Sequence, residues 1–403
     1  MQASDQRNFF ESDASQARRE RKEAKSKNKH GNPIKLPSKI NAAVVDPAAP
    51  SSCVYVAGSG GWVRKVDIDV QNRASTTVYR GPKAPATCVA LGGPKNQFIF
   101  AGSWDRNVWS WNVTSQKLAR TYVGHSDFVK AVTCAYLGDK HILVSGGADK
   151  KIIVWDMETG VRLHTLQDTT VAMLAVQDLV VDPVQSTNDE ICLVSASSDP
   201  HIRRWKIRLD AAEKIIEDDP GAPGSSRHSI FEHATSVYKL VFAGAGDEID
   251  LWTSSADGTT KCLSRMRNFA MEETYEHGDC VRAVAITDQW VLTAGRDEDV
   301  KVWDRASGKL HLALQGHYDE ITDLVILRST KSLPERVCSV SIDGTVRTWP
   351  LDHKGLDETK DRQEQEVDLA AAAKGPKQPN PGGSMLTAEE ETELAELMTD
   401  DDD

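Results

Sequence analysis

The chain has 403 residues, 39% of them hydrophobic, which is enough for one large globular unit or two ordinary domains. Its formal net charge is −12, so most of its surface repels nucleic-acid phosphates and only a local basic segment could meet them. No run of 18 or more apolar residues implies a membrane-spanning helix, and the N-terminus lacks the apolar core and cleavage site of a secretory signal. The seven cysteines, Cys53, Cys88, Cys134, Cys192, Cys262, Cys280 and Cys338, are scattered and form no CxxC pair. They are expected to be reduced core residues of an intracellular protein, with neither a zinc site nor a disulfide framework.

Residues 1–31 form a basic arm, expected to be mobile or helical with Ser12 as a candidate N-cap. Residues 18–29 carry seven basic and two acidic side chains. Such a segment fits a nuclear-import signal, an RNA or phosphate contact, or a solvated helix face. It favours the nucleus over the cytoplasm.

From residue 32 to 353 the chain repeats. In chain order the copies are VAGSGGWVRKVDI, FAGSWDRNVWSWNV, LVSGGADKKIIVWDMETG, VSASSDPHIRRWKI, WTSSADGTTKCLSR, LTAGRDEDVKVWDRASG and CSVSIDGTVRTWPLD. Five place a turn aspartate six residues before a tryptophan: Asp105 and Trp111, Asp149 and Trp155, Asp199 and Trp205, Asp297 and Trp303, Asp343 and Trp349. The fifth copy keeps Asp257 with Leu263, and the first has Gly60 and Val66. The marker positions 66, 111, 155, 205, 263, 303 and 349 are 40 to 58 residues apart. Short alternating strands at that period predict propeller blades, which bury their faces against each other rather than alone.

Gly124-His125 precedes FVKAVTC, His277 precedes VRAVAI, and Gly316-His317 precedes ITDLVIL. With these histidines the chain resembles the WD-repeat family. The resemblance implies an all-β fold, a seven-bladed β-propeller with flexible N- and C-terminal extensions. It also implies polar sets that pair a histidine with a strand Ser or Thr, the turn Asp and the Trp. By position the sets are His125/Ser145/Asp149/Trp155, His277/Thr293/Asp297/Trp303 and His317/Ser339/Asp343/Trp349. A fourth, His233/Thr253/Asp257, has Leu263 in the tryptophan place. The blades marked at 66, 111 and 205 lack the histidine and are expected to be the least polar inside. The last inner hairpin ends at Pro350, so its outer strand must come from elsewhere, and residues 32–38 can supply it.

Residues 208–226 are the longest insertion, expected between the third and fourth strands of the fourth blade and hanging from the bottom face. Residues 354–385 read as a flexible linker. Residues 386–403 form an acidic amphipathic tail; residues 385–403 hold nine acidic and no basic side chains. Thr387 and Glu390 fit a capping box, and Leu394, Leu397 and Met398 share one helical face, so the segment is expected to fold in a partner's groove.

The histidine sets are read as structural and not as hydrolase triads, because they recur and lack a nucleophile elbow. No catalytic, cofactor or metal constellation is found. Trp104, Phe128, Arg296, Tyr318 and Glu320 are expected on the top face, where the second-to-third-strand turns and the loops between blades meet. These residue types suit binding hot spots, or Trp104 and Phe128 pack on a neighbouring loop. Trp62 and Trp109 are expected to pack within blades. The reading is a non-catalytic scaffold with protein partners, no membrane and no small-molecule substrate; the alternative is an accessory subunit that brings an enzyme or ribosome-assembly partner to RNA through the basic arm.

Overall fold

The computed structural model describes residues 13–69, 77–218, 226–245 and 248–373. The repeats fold into seven antiparallel sheets, each built around four strands, here a to d from the channel outward. Blade 1 spans residues 40–80, blade 2 86–123, blade 3 129–166, blade 4 176–231, blade 5 237–276, blade 6 281–315 and blade 7 321–350. Within blade 3, Val129–Leu137, Lys140–Gly147, Ile152–Asp156 and Arg162–Leu166 pair in order. The seven marker residues occupy one register position on strand c. Val66, Trp111, Trp155, Trp205, Leu263, Trp303 and Trp349 lie opposite Val54, Ile99, Leu143, Leu193, Leu251, Val291 and Val337 of strand b.

There is no single core. Buried apolar side chains gather in seven clusters, one at each blade-to-blade seam. Each marker belongs to the seam with the preceding blade: Trp155 packs with Phe100, Val108 and Tyr122 of blade 2, and Trp205 with Val144, Val154 and Leu166 of blade 3. Tyrosines on outer strands complete three seams, with Tyr79–Trp111, Tyr122–Trp155 and Tyr275–Trp303 centroids 6.4, 5.7 and 5.8 Å apart. Tilted and edge contacts of this kind add stability beyond the area buried.

Blade 7 closes as the sequence requires. Ile34 and Lys35 pair with Val346 and Thr345. The amide of Leu36 donates to the Gly344 carbonyl, and that of Thr348 to the Gly31 carbonyl, both at 2.8 Å. Strand d of the last blade therefore comes from the first part of the chain, and its pairing removes an open edge.

Two expectations need correction. Residues 208–226 are not a simple loop between strands c and d of blade 4. Strand c (His201–Ile207) turns tightly and pairs at once with Ala212–Lys214, and pairs again near its other end with Ile230 and Phe231. Strand d is thus split, and the excursion leaves from its middle, so it does not hang from the bottom. Secondly, residues 354 onward begin as a helix: α2 spans His353–Ala373. Its sequence is rich in Glu, Lys, Gln, Leu and Ala, and the first proline comes only at Pro376, so propensity favours a helix over a linker. Leu351 and Leu356, at its start, join the seam between blades 6 and 7. Ser12, Leu394, Leu397 and Met398 lie outside the described residues.

Gly31 has φ +64°, and a Cβ there would sit 2.8 Å from the Trp349 ring. Gly31→Val should lower unfolding free energy by about 1–3 kcal/mol, read as a shifted denaturation midpoint with the far-ultraviolet spectrum preserved at low denaturant.

Candidate functional site

The polar sets form as their spacing implies. His125 Nδ1 lies 3.0 Å from Asp149, His125 Nε2 lies 2.8 Å from the Ser145 hydroxyl, and the Trp155 indole donates to that hydroxyl at 2.9 Å. Blade 7 repeats this with His317, Asp343, Ser339 and Trp349. Blade 5 keeps His233 between Asp257 and Thr253. In blade 6 the ring is turned over, with His277 Nε2 toward Asp297 and Nδ1 toward Thr293. Because the indole occupies the hydroxyl oxygen as donor, the hydroxyl proton points to histidine. The set resembles a hydrolase triad only in connectivity: Ser145, Thr293 and Ser339 are fully buried, so no substrate reaches them. Burial is the main cause that lowers the His317 pKa, which keeps the ring neutral and the network satisfied.

Blade 4 overturns one expectation. Although it lacks the histidine, it is not among the least polar: Arg203 is fully buried there. Its Nε donates to Asp168 at 2.8 Å and its Nη1 to Asp199 at 2.9 Å, while Lys214 donates to Asp168 at 2.8 Å. Burial alone would raise the Asp168 pKa, but Lys214, Thr170 and Arg203 hold it well below the usual carboxylate range. The indole of Trp205 still donates to Ser195. An arginine on strand c has replaced a histidine from the preceding loop, which a search for histidines could not show. Blade 2 uses a third solution: Trp109, expected only to pack, donates to the turn Asp105 at 2.8 Å.

On the top face Trp104 and Phe128 are 50% and 40% exposed. They stack on each other with centroids 5.0 Å apart and planes 15° apart, bridging the turn of blade 2 and the loop into blade 3. Arg296 is exposed. Tyr318 and Glu320 are more constrained than expected. The Tyr318 hydroxyl donates to the Asp343 carbonyl at 2.9 Å, and Glu320 pairs with Arg282 at 3.1 Å.

The basic arm is partly spent. Helix α1 (Asp13–Lys25) sets Lys22 2.5 Å from Asp319, and Lys25 and Arg21 2.8 and 3.3 Å from Glu298. Glu298 and Asp319 belong to the top loops of blades 6 and 7. Asn28 then donates to the Gly316 carbonyl, and Arg347 to Asn28, at 2.9 and 2.8 Å. The helix is held by the same stretch of chain that closes the ring.

The inner strands carry a feature the sequence reading missed. Every strand a shows a register shift at one place, leaving one extra residue per blade. In blades 1, 2 and 7 that residue is Asn41, Thr87 or Thr322, and its side chain donates to a carbonyl of the next blade. In blade 4 it is Gln177, held by Ser198. In blades 3, 5 and 6 it is Lys130, Tyr238 or Arg282, long side chains that line the channel, a cavity of about 620 Å³. The next residue of each strand forms a second ring, in which Lys239 of blade 5 reaches Asp323 of blade 7 at 2.9 Å. Ala283 of blade 6 leaves room for it. Asp178 and Asp323 accept backbone amides of Leu240 and Ala43. The available signal was the polar residue that follows the first buried residue of each strand a, as in Val129-Lys130-Ala131 and Val281-Arg282-Ala283.

A family model described as WD domain, G-beta repeat matches residues 73–112, 116–156 and 271–304. Each stretch runs from the outer strand of one blade to strand c of the next. An uncharacterized WD repeat-containing protein of Schizosaccharomyces pombe is 29% identical over 99% of this chain and 100% of its own length. Nuclear distribution protein PAC1 of Arthroderma otae is 28% identical over 66% of this chain, which spans half of that relative's length. The crystal structure of the WD40 β-propeller domain of Doa1 matches 81% of this chain and 97% of its own with a TM-score of 0.61, a likeness of fold at 20% identity. Fold and polar sets together define a seven-bladed propeller of the His–Ser/Thr–Asp–Trp type. The chain carries repeats of the WD type and is similar to WD-repeat proteins along its length.

Two outcomes follow. Arg203→Ala removes the buried cation bonded to Asp199 and leaves Asp168 to Lys214, and should cost about 3–5 kcal/mol, whereas His125→Ala should cost about 1–3 kcal/mol; denaturant titration orders them. The three arm contacts are part-exposed and worth roughly 0.5 kcal/mol each, so Glu298→Ala with Asp319→Ala should speed tryptic cleavage within α1 roughly tenfold. Equal cleavage rates would show that the ion pairs do not hold the helix.

Proposed function

We propose that the protein is a non-catalytic interaction scaffold that assembles a multiprotein complex, with the top face of blades 2 and 3 as its main docking surface. The observation that carries this is the stacked Trp104–Phe128 pair. It exposes two large aromatic side chains beside the channel mouth while fixing their geometry, so little side-chain entropy is lost when a partner covers them. Blades 6 and 7 present their top loops to α1, which leaves blades 2 to 4 the more open side. The hydroxyls that imitate a nucleophile are sealed behind tryptophans, in keeping with a fold that generally binds other proteins.

The alternative, an RNA-associated subunit acting through the basic arm, has a cost in this geometry. Phosphates would have to displace Glu298 and Asp319 from Arg21, Lys22 and Lys25. Nuclear residence through the same arm is likewise a proposal, and it meets the same competition.

The triple variant Trp104→Ala, Phe128→Ala, Arg296→Ala should keep its melting temperature. In quantitative co-purification it should lose at least one partner that the parent chain retains. If every partner stays with the triple variant and is lost when residues 216–228 are shortened, the split outer strand of blade 4 is the binding edge instead.

A further inference from the structure

Lys130 and Arg282 occupy the same register position in blades 3 and 6, three blades apart on a ring of seven. Their side chains therefore enter the channel mouth from opposite sides. Neither is fully satisfied. Lys130, half-buried, has no hydrogen bond or ion pair among the described residues. Arg282 lies flat on Tyr238, with its guanidinium carbon 4.1 Å from the ring centroid. Its Nε is buried without a hydrogen bond, since the approach to Glu320 is an ion pair without hydrogen-bond alignment.

The two cations repel each other across the mouth, where Glu320 pairs with Arg282 and Asp127 acts on Lys130 without bonding it. Burial first, and then the Arg282 charge, push the Lys130 ammonium below its ordinary pKa. The carboxylates of the ring beneath are directed elsewhere: Asp323 bonds Lys239, and Asp178 and Asp323 accept backbone amides, so neither bonds Lys130 or Arg282. An anion supplied from outside gives the Lys130 ammonium and the Arg282 Nε the hydrogen-bond partner they lack. Trp104 borders the same cavity, so the group that brings the anion also meets an apolar wall. Half-buried Arg and Lys together suit a carboxylate or phosphoryl oxygen set, with Arg giving directional bonds and Lys a point charge.

We propose that the channel mouth is an anion seat for an acidic or phosphorylated side chain of a partner polypeptide, held by Lys130 and Arg282 and flanked by Trp104. This rests on the top-face docking reading and names the chemistry of what docks there.

The test uses the full chain and fluorescence anisotropy with three labelled nonapeptides of one leucine- and glycine-based sequence. They differ only at the central residue: phosphoserine, aspartate or asparagine. The phosphoserine and aspartate peptides should bind at least tenfold tighter than the asparagine peptide. Lys130→Met and Arg282→Met should each reduce that preference to within twofold, with Lys130→Gln as the substitute should Lys130→Met fail to fold. Equal binding of the three peptides, or a preference that survives both substitutions, overturns the seat. Inorganic phosphate titrated as competitor should displace the peptide only at far higher concentration. Displacement at the peptide's own dissociation constant assigns the mouth to a free ion and overturns the polypeptide ligand. Trp104→Ala should weaken all three peptides alike. If it changes none of them while the charge preference persists, the seat stands and the aromatic docking surface fails.

Discussion

Everything in this molecule depends on the seam between neighbouring blades. A four-stranded sheet of this kind has two apolar faces and no interior of its own. The chain answers with seven small cores, each shared by two blades. The marker on strand c fills the seam behind it, and the polar set anchors the indole so that the ring does not rotate. Stability is therefore distributed around a circle. A defect at one seam is not absorbed by a larger neighbouring core, and two of the three blades without a histidine carry an equivalent. Arg203 with its two carboxylates is that equivalent in blade 4, and Asp105 with Trp109 serves blade 2.

Inward from the seams the same repetition makes a layered channel. The bulge adds one residue to each strand a at the same height, so seven side chains surround the mouth. Where the bulge residue is short and polar it joins two blades. Where it is Lys130, Tyr238 or Arg282 it lines the channel instead. The ring below is closed by charge: Lys239 is held well above its ordinary pKa by Asp323 and Asp178 despite burial. A lower layer bonded within itself and an upper layer with unbonded cations give the channel a direction.

The fold was legible because its signals are local and repeated. Asp149 and Trp155 are six residues apart for a geometric reason, a tight turn and a strand, and the same reason recurs along the chain. Ring closure was legible from Pro350 and the residue budget of the last blade. Arg203 was not, because its two carboxylates come from a loop and a turn 35 and 4 residues away, and no motif binds that spacing. The stacking of Trp104 on Phe128 was hidden for a similar reason, since each belongs to a different repeat. The bulge ring was visible in principle, but alternation treats an inserted residue as noise. Helix α2 was missed because a charged, alanine-rich segment beside a Pro- and Gly-rich one reads as a single linker.

The closing strand has a consequence for synthesis on the ribosome. Ile34 and Lys35 emerge early, yet their partners Val346 and Thr345 are translated roughly 15–60 s later at ordinary elongation rates. Through that interval the nascent chain holds an unmatched strand at its leading end and an unfinished arc of blades behind it. The order of translation is thus opposed to the order of pairing, and the last bond of the ring joins an early segment to one made about 300 residues later. The adjoining α1 is drawn to its place by that late event, so the arrival of the basic helix on blades 6 and 7 marks a completed circle.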